Sequence, residues 1–366
     1  MTFLEIIRHP LTNLPIEQKP SDSYRKILFE RIDAFGEAIN SSPFLSGPIN
    51  GTDFQSDIFK RRMNLVLKGL KDAIDCYYAG KINQAYTHLR KLMKESNLRN
   101  FLAKDFLLPA YQSFFRIRIK DSSYPLTKAE LFHIPFQLRG LVASQRYSIP
   151  GLPSLYISNG LYVAWEELRR PSAHQIQAVR LQNQRELTLL DLTTDVYCVE
   201  PLQPLTDLQA LYRCMVWPLA AACSVKVKNS MDTFKPEYII PQLLLQWTND
   251  DLIDGIMYSS THIDRTKKQH SGKFYNIVLP VKPTQTDTGY CQTLCDLFRS
   301  TSVLPMHLRQ FIASTSRLPG QETISTAVSS DIESIEIIDG IQSPYKDTLF
   351  GMLEHSLNGM PIEAIL

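Results

Sequence analysis

The sequence predicts an α+β protein with an all-helical N-terminal part. Two observations lead there. Apolar residues recur at helical spacing up to about residue 110, and beyond it short runs of strand-like alternation are interleaved with helical stretches. The interleaving lacks the regular strand–helix–strand beat of a doubly wound sheet, which favours α+β over α/β.

Taken in order, Ser21 or Asp22 is placed to cap a helix running through Tyr24-Arg25-Lys26-Ile27-Leu28-Phe29. From Asp57 to Tyr77, Met63, Leu67, Leu70, Ile74 and Tyr77 follow at spacings of 4, 3, 4 and 3, which draws one stripe on a helix. Ala79-Gly80-Lys81 breaks the stripe. Ile82, Ala85, Tyr86, Leu89, Leu92 and Met93 resume it, so the pair reads as a helical hairpin with glycine at the turn. The basic cluster Lys60-Arg61-Arg62 reads as a solvated helix face.

After residue 110 the period changes. Phe114-Phe115-Arg116-Ile117-Arg118-Ile119 ends in strict apolar/basic alternation, the mark of a half-buried strand. Leu155–Ile157, Thr188–Leu192, Gly255–Tyr258 and Tyr275–Leu279 read as further strands. Leu161 to Leu168, Leu208 to Cys223 and Pro236 to Trp247 read as helices. The tail predicts a helix near Gln292 to Arg299 and a Pro/Ser/Thr-rich loop at 314–330. A strand at Ile332 to Ile338 and a last helix from about Lys346 to Leu357 follow.

Composition narrows the function. The chain has 366 residues, 44% of them hydrophobic and 21% charged, which is globular and not disordered. Lys plus Arg number 39 against 37 Asp plus Glu, a net charge of +2, so a dedicated nucleic-acid wrapper is not expected. The start MTFLEIIRHPLTNLPIEQ has no secretory pattern. The longest apolar stretch, Cys214 to Val225, is 12 residues where a bilayer needs ~20. Six cysteines in mostly apolar contexts fit a reducing cytoplasm. Cys291 and Cys295 share a helix face, but no second ligand pair accompanies them, so no metal is expected. His133, within Leu131-Phe132-His133-Ile134-Pro135, reads as a satisfied core residue.

Phosphate-loop, dinucleotide-fold, zinc-protease and serine-hydrolase motifs are absent. The informative stretch is 139–171. Arg146-Tyr147-Ser148 precedes Ile149-Pro150-Gly151, the strand Leu155-Tyr156-Ile157-Ser158 follows, and a helix then carries Trp165-Glu166-Glu167. Phe115-Arg116 lies upstream, and Asp254-Gly255 through Ser260 lies far downstream.

This ordered set, over about residues 112–282, resembles the RES domain family, named for its Arg, Glu and Ser. Members are similar to toxin halves of bacterial toxin–antitoxin pairs, with an ADP-ribosyltransferase-like split sheet, and attack NAD. The expected organisation is a helical N-terminal domain (1–110), the RES domain that the resemblance implies (111–284), and a C-terminal extension (285–366), not covered by the resemblance, packing on it. The family's aromatic–Arg strand falls on Phe115-Arg116, with Arg118 as the other register. Its Arg-Trp-Asn turn falls on Arg146-Tyr147-Ser148, departing at two of three positions. Its glutamate falls on Glu167 by an ungapped count, with Glu166 beside it, and its serine on Ser260.

By that resemblance Glu167, Arg116 and Ser260 are the catalytic candidates, and Arg116, Arg146, Tyr147, Tyr156, Ser158, Glu166 and Ser260 hold NAD. A carboxylate beside the ribose stabilises the cation that grows as neutral nicotinamide leaves. A guanidinium grips phosphate through its planar fork, the role open to Arg116 and Arg146. A tyrosine stacks on the nicotinamide ring, Tyr156 first and Tyr147 second. Ser260 hydrogen-bonds the carboxamide or ribose. NAD is thus substrate. The acceptor is water, phosphate or a protein, and an antitoxin or other regulatory protein is the implied partner. The competing expectations are a non-catalytic RES-like interaction protein and an ADP-ribosyltransferase acting on one macromolecule.

Overall fold

The computed structural model describes residues 1–44, 46–49, 52–96, 107–121, 124–197, 204–229, 231–250, 253–263, 271–282, 287–311 and 331–366. The chain is α+β. Its principal helices are α1 (Phe3–Ile7), α2 (Tyr24–Ser41), α3 (Ser56–Tyr78), α4 (Ile82–Glu95), α5 (Leu161–Glu167), α6 (Asp207–Ser224), α7 (Ile239–Asp250), α8 (Gln292–Leu297) and α9 (Leu349–Asn358). Its principal strands are β1 (Ser113–Ile119), β2 (Ser154–Ser158), β3 (Ile176–Asn183), β4 (Leu187–Leu192), β5 (Gly255–Ser259), β6 (Tyr275–Pro280), β7 (Phe298–Ser300), β8 (Ile332–Ile338) and β9 (Ile341–Pro344).

These elements form two compact units. One holds Met1–Leu107, Ser144–Pro150 and Thr188–Thr261, the other Leu108–Ala143, Gly151–Leu187 and His262–Leu366. The units are drawn differently from the three sequential segments read above, and α6 explains why. That helix is buried around nearly its whole circumference, so it needs neighbours on every side. The N-terminal helices supply them. Trp217 stacks on Phe35 with centroids 4.2 Å apart, and its indole N–H donates to the Thr12 carbonyl at 2.9 Å.

In the first unit the stripe on α3 is core: Met63, Leu67, Leu70 and Ile74 are buried, as are Ala85, Leu89, Leu92 and Met93 on α4. The turn between the two helices is a Schellman motif. The Gly80 N–H donates to the Tyr77 carbonyl at 2.9 Å and the Lys81 N–H to Cys76 at 2.8 Å, with Gly80 at φ +74°. Ser23, one residue past the expected caps, accepts from the Lys26 N–H to start α2. Strands β4 and β5 pair in parallel, from Leu189 opposite Gly255 to Leu192 opposite Tyr258.

In the second unit the strands lie in the order β7-β3-β1-β2-β6, each pair antiparallel. The β1–β3 ladder is complete, from Ser113 opposite Gln182 to Ile119 opposite Ile176. The β1–β2 contact is brief: Phe115 opposite Ser158 is its sole register pair among the described residues. Past it the two strands part. β2 and β6 pair along their length, with Asn276 opposite Ser158 and Val278 opposite Tyr156. Phe115, Ile117 and Ala178 pack against α5 and α9 through Leu161, Tyr162, Phe350, Leu353 and Leu357.

Three expectations about the tail are revised or fall aside. The helix begun at Gln292 stops at Leu297, because Phe298 and Ser300 turn inward as β7 and pair with Asn183 and Leu181. The last helix starts at Leu349, capped by Thr348, after a 3-10 turn at Tyr345–Asp347. The loop read at 314–330 lies outside the described residues.

Candidate functional site

The second unit brings Glu167, Ser158 and a residue the sequence reading passed over, Asn276, into one chain of hydrogen bonds. The Ser158 hydroxyl donates to Asn276 Oδ1 at 2.5 Å, and Asn276 Nδ2 donates to Glu167 Oε1 at 3.0 Å. One bond at each end fixes which way the amide points. Ser158 and Asn276 are buried, so the chain runs from the sheet out to Glu167, whose side chain is 29% exposed. His262 Nε2 stands 3.9 Å from the other carboxylate oxygen, Oε2. Asn276 had a sequence signal: it is the one polar side chain between Tyr275 and Leu279 in an otherwise apolar strand. His262 had none.

The alternative glutamate faces elsewhere. Glu166 is buried, and its carboxylate pairs with Arg170, with Nε at 3.0 Å and Nη2 at 2.9 Å. It also bonds the Tyr162 hydroxyl, which burial and that carboxylate push well above the usual tyrosine range. Adjacent helix positions differ by about 100° in direction, so one glutamate reaches the sheet and the other the helix's own C-terminal turn.

Arg116 occupies the place where β1 and β2 part. Its Nη1 donates to the Tyr156 carbonyl at 2.6 Å, and its Nε is buried with no hydrogen-bond partner among the described residues. No carboxylate among the described residues pairs with it. Burial, with repulsion from Arg118, pushes its pKa down to about 10. Arg118 is exposed and donates to the Glu130 carbonyl. Tyr156 is half-buried. Burial raises its pKa, against the pull of Arg116. Tyr156 and Ser158 are two apart on β2 and share a face.

Arg146, Tyr147 and Ser260 lie in the first unit, where Arg146 and Tyr147 have partners. Arg146 Nη1 donates to the Cys223 carbonyl at 2.6 Å, both its terminal nitrogens lie 3.4 Å from the Val225 carbonyl, and the guanidinium sits 5.8 Å above the Tyr238 ring. Tyr147 is a core ring, 2% exposed, 4.4 Å from the Tyr258 ring and bonded to Cys223. The nicotinamide-stacking role considered for Tyr147 meets a buried ring. Ser260 is buried at the end of β5.

His133 is a core residue. It is 1% exposed, its Nε2 accepts the Cys291 N–H at 2.9 Å, and Nδ1 therefore carries the proton given to the Ile134 carbonyl at 2.8 Å. Burial, aided by Arg116, pushes its pKa down to about 4. Cys291 and Cys295 are buried free thiols, and burial raises Cys295 to about 11. Among the described residues, no group of three or more His, Cys, Asp or Glu is placed to hold a metal ion, and no helix is long and apolar enough to cross a membrane.

No family model matches the chain, and no solved structure matches it. A Bacillus subtilis (strain 168) protein named "Putative toxin YopC" is 29% identical over 311 residues, which covers 78% of this chain and 67% of that protein.

Proposed function

We propose that this chain is a RES-type toxin that cleaves the nicotinamide–ribose bond of NAD. The observation that carries the reading is the Ser158–Asn276–Glu167 chain; on the other face of the sheet, half-buried Arg116 of β1 has an Nε with no hydrogen-bond partner among the described residues. Glu167 would stabilise the ribosyl cation, its Oε1 held by Asn276 and its Oε2 turned to the ribose hydroxyls. Arg116 would take a pyrophosphate oxygen, since an anion is the partner that a desolvated guanidinium lacks. The similarity to a Bacillus protein named as a toxin supports the biological half of the reading. An antitoxin that binds the chain and restores growth belongs to the same proposal.

The experiment is induced expression with cellular NAD quantified, alongside Glu167→Gln and a Glu166/Glu167 double alanine variant. NAD falls with the wild type and holds with Glu167→Gln. NAD that holds steady with the wild type, and a double variant that grows no better, would defeat the enzyme reading. Product analysis then separates ADP-ribose, its phosphate ester and a modified protein as outcomes.

A second reading, a non-catalytic interaction protein, draws on Arg146 and Tyr147, which are engaged by Cys223, Val225 and Tyr258. Calorimetry with NAD separates the two: a pure interaction protein gives no heat.

A further inference from the structure

The resemblance stops near residue 282 and gives the segment 331–366 no role. That segment nevertheless supplies the start of the helix that bears Glu167. Helix α5 has seven residues, too few to hold a register unaided. Its N-cap is Gly160, which has no side chain to accept a first-turn amide. The missing acceptor arrives from α9. Glu354 Oε1 accepts the Leu161 N–H at 2.7 Å across 193 positions of sequence. The Tyr345 hydroxyl donates to the same carboxylate oxygen and lies 3.4 Å from the Tyr162 nitrogen. Both Glu354 and Tyr345 are 0% exposed.

Position 160 is closely surrounded by side-chain ends, and its backbone angle is extended. A Cβ there would stand 2.6 Å from Ile332 Cδ1, 3.2 Å from the Tyr345 hydroxyl and 3.4 Å from Glu354 Oε1. The C-terminal side is built as closely. A Cβ on Gly351 would meet the Tyr345 carbonyl at 2.3 Å, and the Thr348 hydroxyl donates to that carbonyl at 2.7 Å. Strand β8, helix α9 and the turn before it thus close on one helix end.

We propose that Glu354, aimed by Tyr345, is a positioning residue for Glu167. It pins the first turn of α5 so that the last turn presents Glu167 to Asn276. The C-terminal segment is then a working part of the NAD site. The inference rests on Glu167 being the catalytic carboxylate. A helix fixed at both ends, by Glu354 at Leu161 and by Asn276 at Glu167, leaves its carboxylate little room to swing. Release of the first end lets Glu167 drift, and a drift of ~1 Å costs on the order of 100-fold in rate.

The test compares Glu354→Leu, Glu354→Gln, Tyr345→Phe and Glu167→Gln in the full chain. Each variant is checked by circular dichroism and assayed for NAD cleavage well below its melting temperature. Hydrogen exchange is followed at the amides of 161–162 and of the β1–β3 ladder. Glu354→Leu should lower kcat by on the order of 10- to 100-fold with KM for NAD within about twofold. Exchange should accelerate at 161–162 and not in the ladder. Glu354→Gln, whose amide oxygen still accepts the Leu161 N–H, should recover most of the rate. A folded Glu354→Leu with wild-type kcat, or a Gln variant as impaired as Leu, overturns the proposal. If Glu354→Leu does not fold, Tyr345→Phe decides: lower kcat with faster exchange at 161–162 supports it, and wild-type values of both overturn it. Full activity in Glu167→Gln is a different failure, since it removes the catalytic reading of Glu167 itself.

Discussion

Arg116 offers the sharpest separation of binding from stability, through Arg116→Met. The substitution keeps much of the length and removes the charge. Burial holds the guanidinium's pKa at about 10, well below its ordinary value. Each factor of ten in acidity is worth about 1.4 kcal/mol, so the cation costs the folded chain about 3 kcal/mol as an upper bound. The sign follows from the depression of a base: the cost is present in full below pH about 10 and fades as pH rises toward the unfolded value. Methionine relieves that cost and forfeits the bond to the Tyr156 carbonyl, worth about 1.5–3 kcal/mol for a charged donor. The two nearly offset. Arg116→Met should therefore unfold in urea within about 1 kcal/mol of wild type, whereas breaking a buried ion pair typically costs about 3–5 kcal/mol. NAD affinity, measured by calorimetry in the Glu167→Gln background, should fall about 100-fold, the worth of a charged phosphate contact. A variant destabilised by 3 kcal/mol or more with NAD affinity intact would show that the guanidinium serves the fold and refute the reasoning.

Two further outcomes are expected. His133 is held neutral by burial, with its pKa pushed down to about 4, so the unfolded chain binds the extra proton first as pH falls. Stability should be full above pH ~6.5 and drop by about 3 kcal/mol on the way to pH 4, and urea titrations of His133→Gln should show a shallower acid limb. Gly80 sits at φ +74° with nothing within 4 Å of an added Cβ, so Gly80→Ala should cost about 1 kcal/mol from backbone strain alone. A thermal melt checks it, and no change would mean that the turn relaxes out of its Schellman geometry.

The elements that were legible in the sequence are those whose burial has one clean period. The α3 stripe and the β1 alternation are examples, and each forms an element within a residue or two of its reading. Strand β3 was passed over. Gln177, Arg180 and Gln182 interrupt its apolar residues, and those polar groups find partners only in the fold, as when the Gln177 side chain accepts the Leu126 N–H at 2.7 Å. The site shows the same limit. Spacing places two glutamates on α5, but which one meets the sheet depends on how the helix is rotated against Asn276. Arg146-Tyr147 matches its motif by order, yet both side chains are engaged within the first unit by groups some 75–110 positions downstream, which no local pattern encodes.

Two departures from ordinary local rules gather around α5, and a third lies on β1, on the face of the sheet turned away from that helix. Gly160 stands at a helix cap without a capping side chain, Asn276 interrupts an apolar strand, and Arg116 is desolvated beside the sheet with no carboxylate partner among the described residues. Each is unfavourable or idle when taken alone. The first two acquire a purpose once Glu167 is the common object: Gly160 leaves the first-turn amide to Glu354, and Asn276 takes hold of Glu167. Arg116 is the exception: its bond to the Tyr156 carbonyl offsets most of its desolvation, and its Nε has no hydrogen-bond partner among the described residues. Proteins break local rules chiefly where function compensates. Two departures that serve one carboxylate are the structural ground for the role proposed for Glu167.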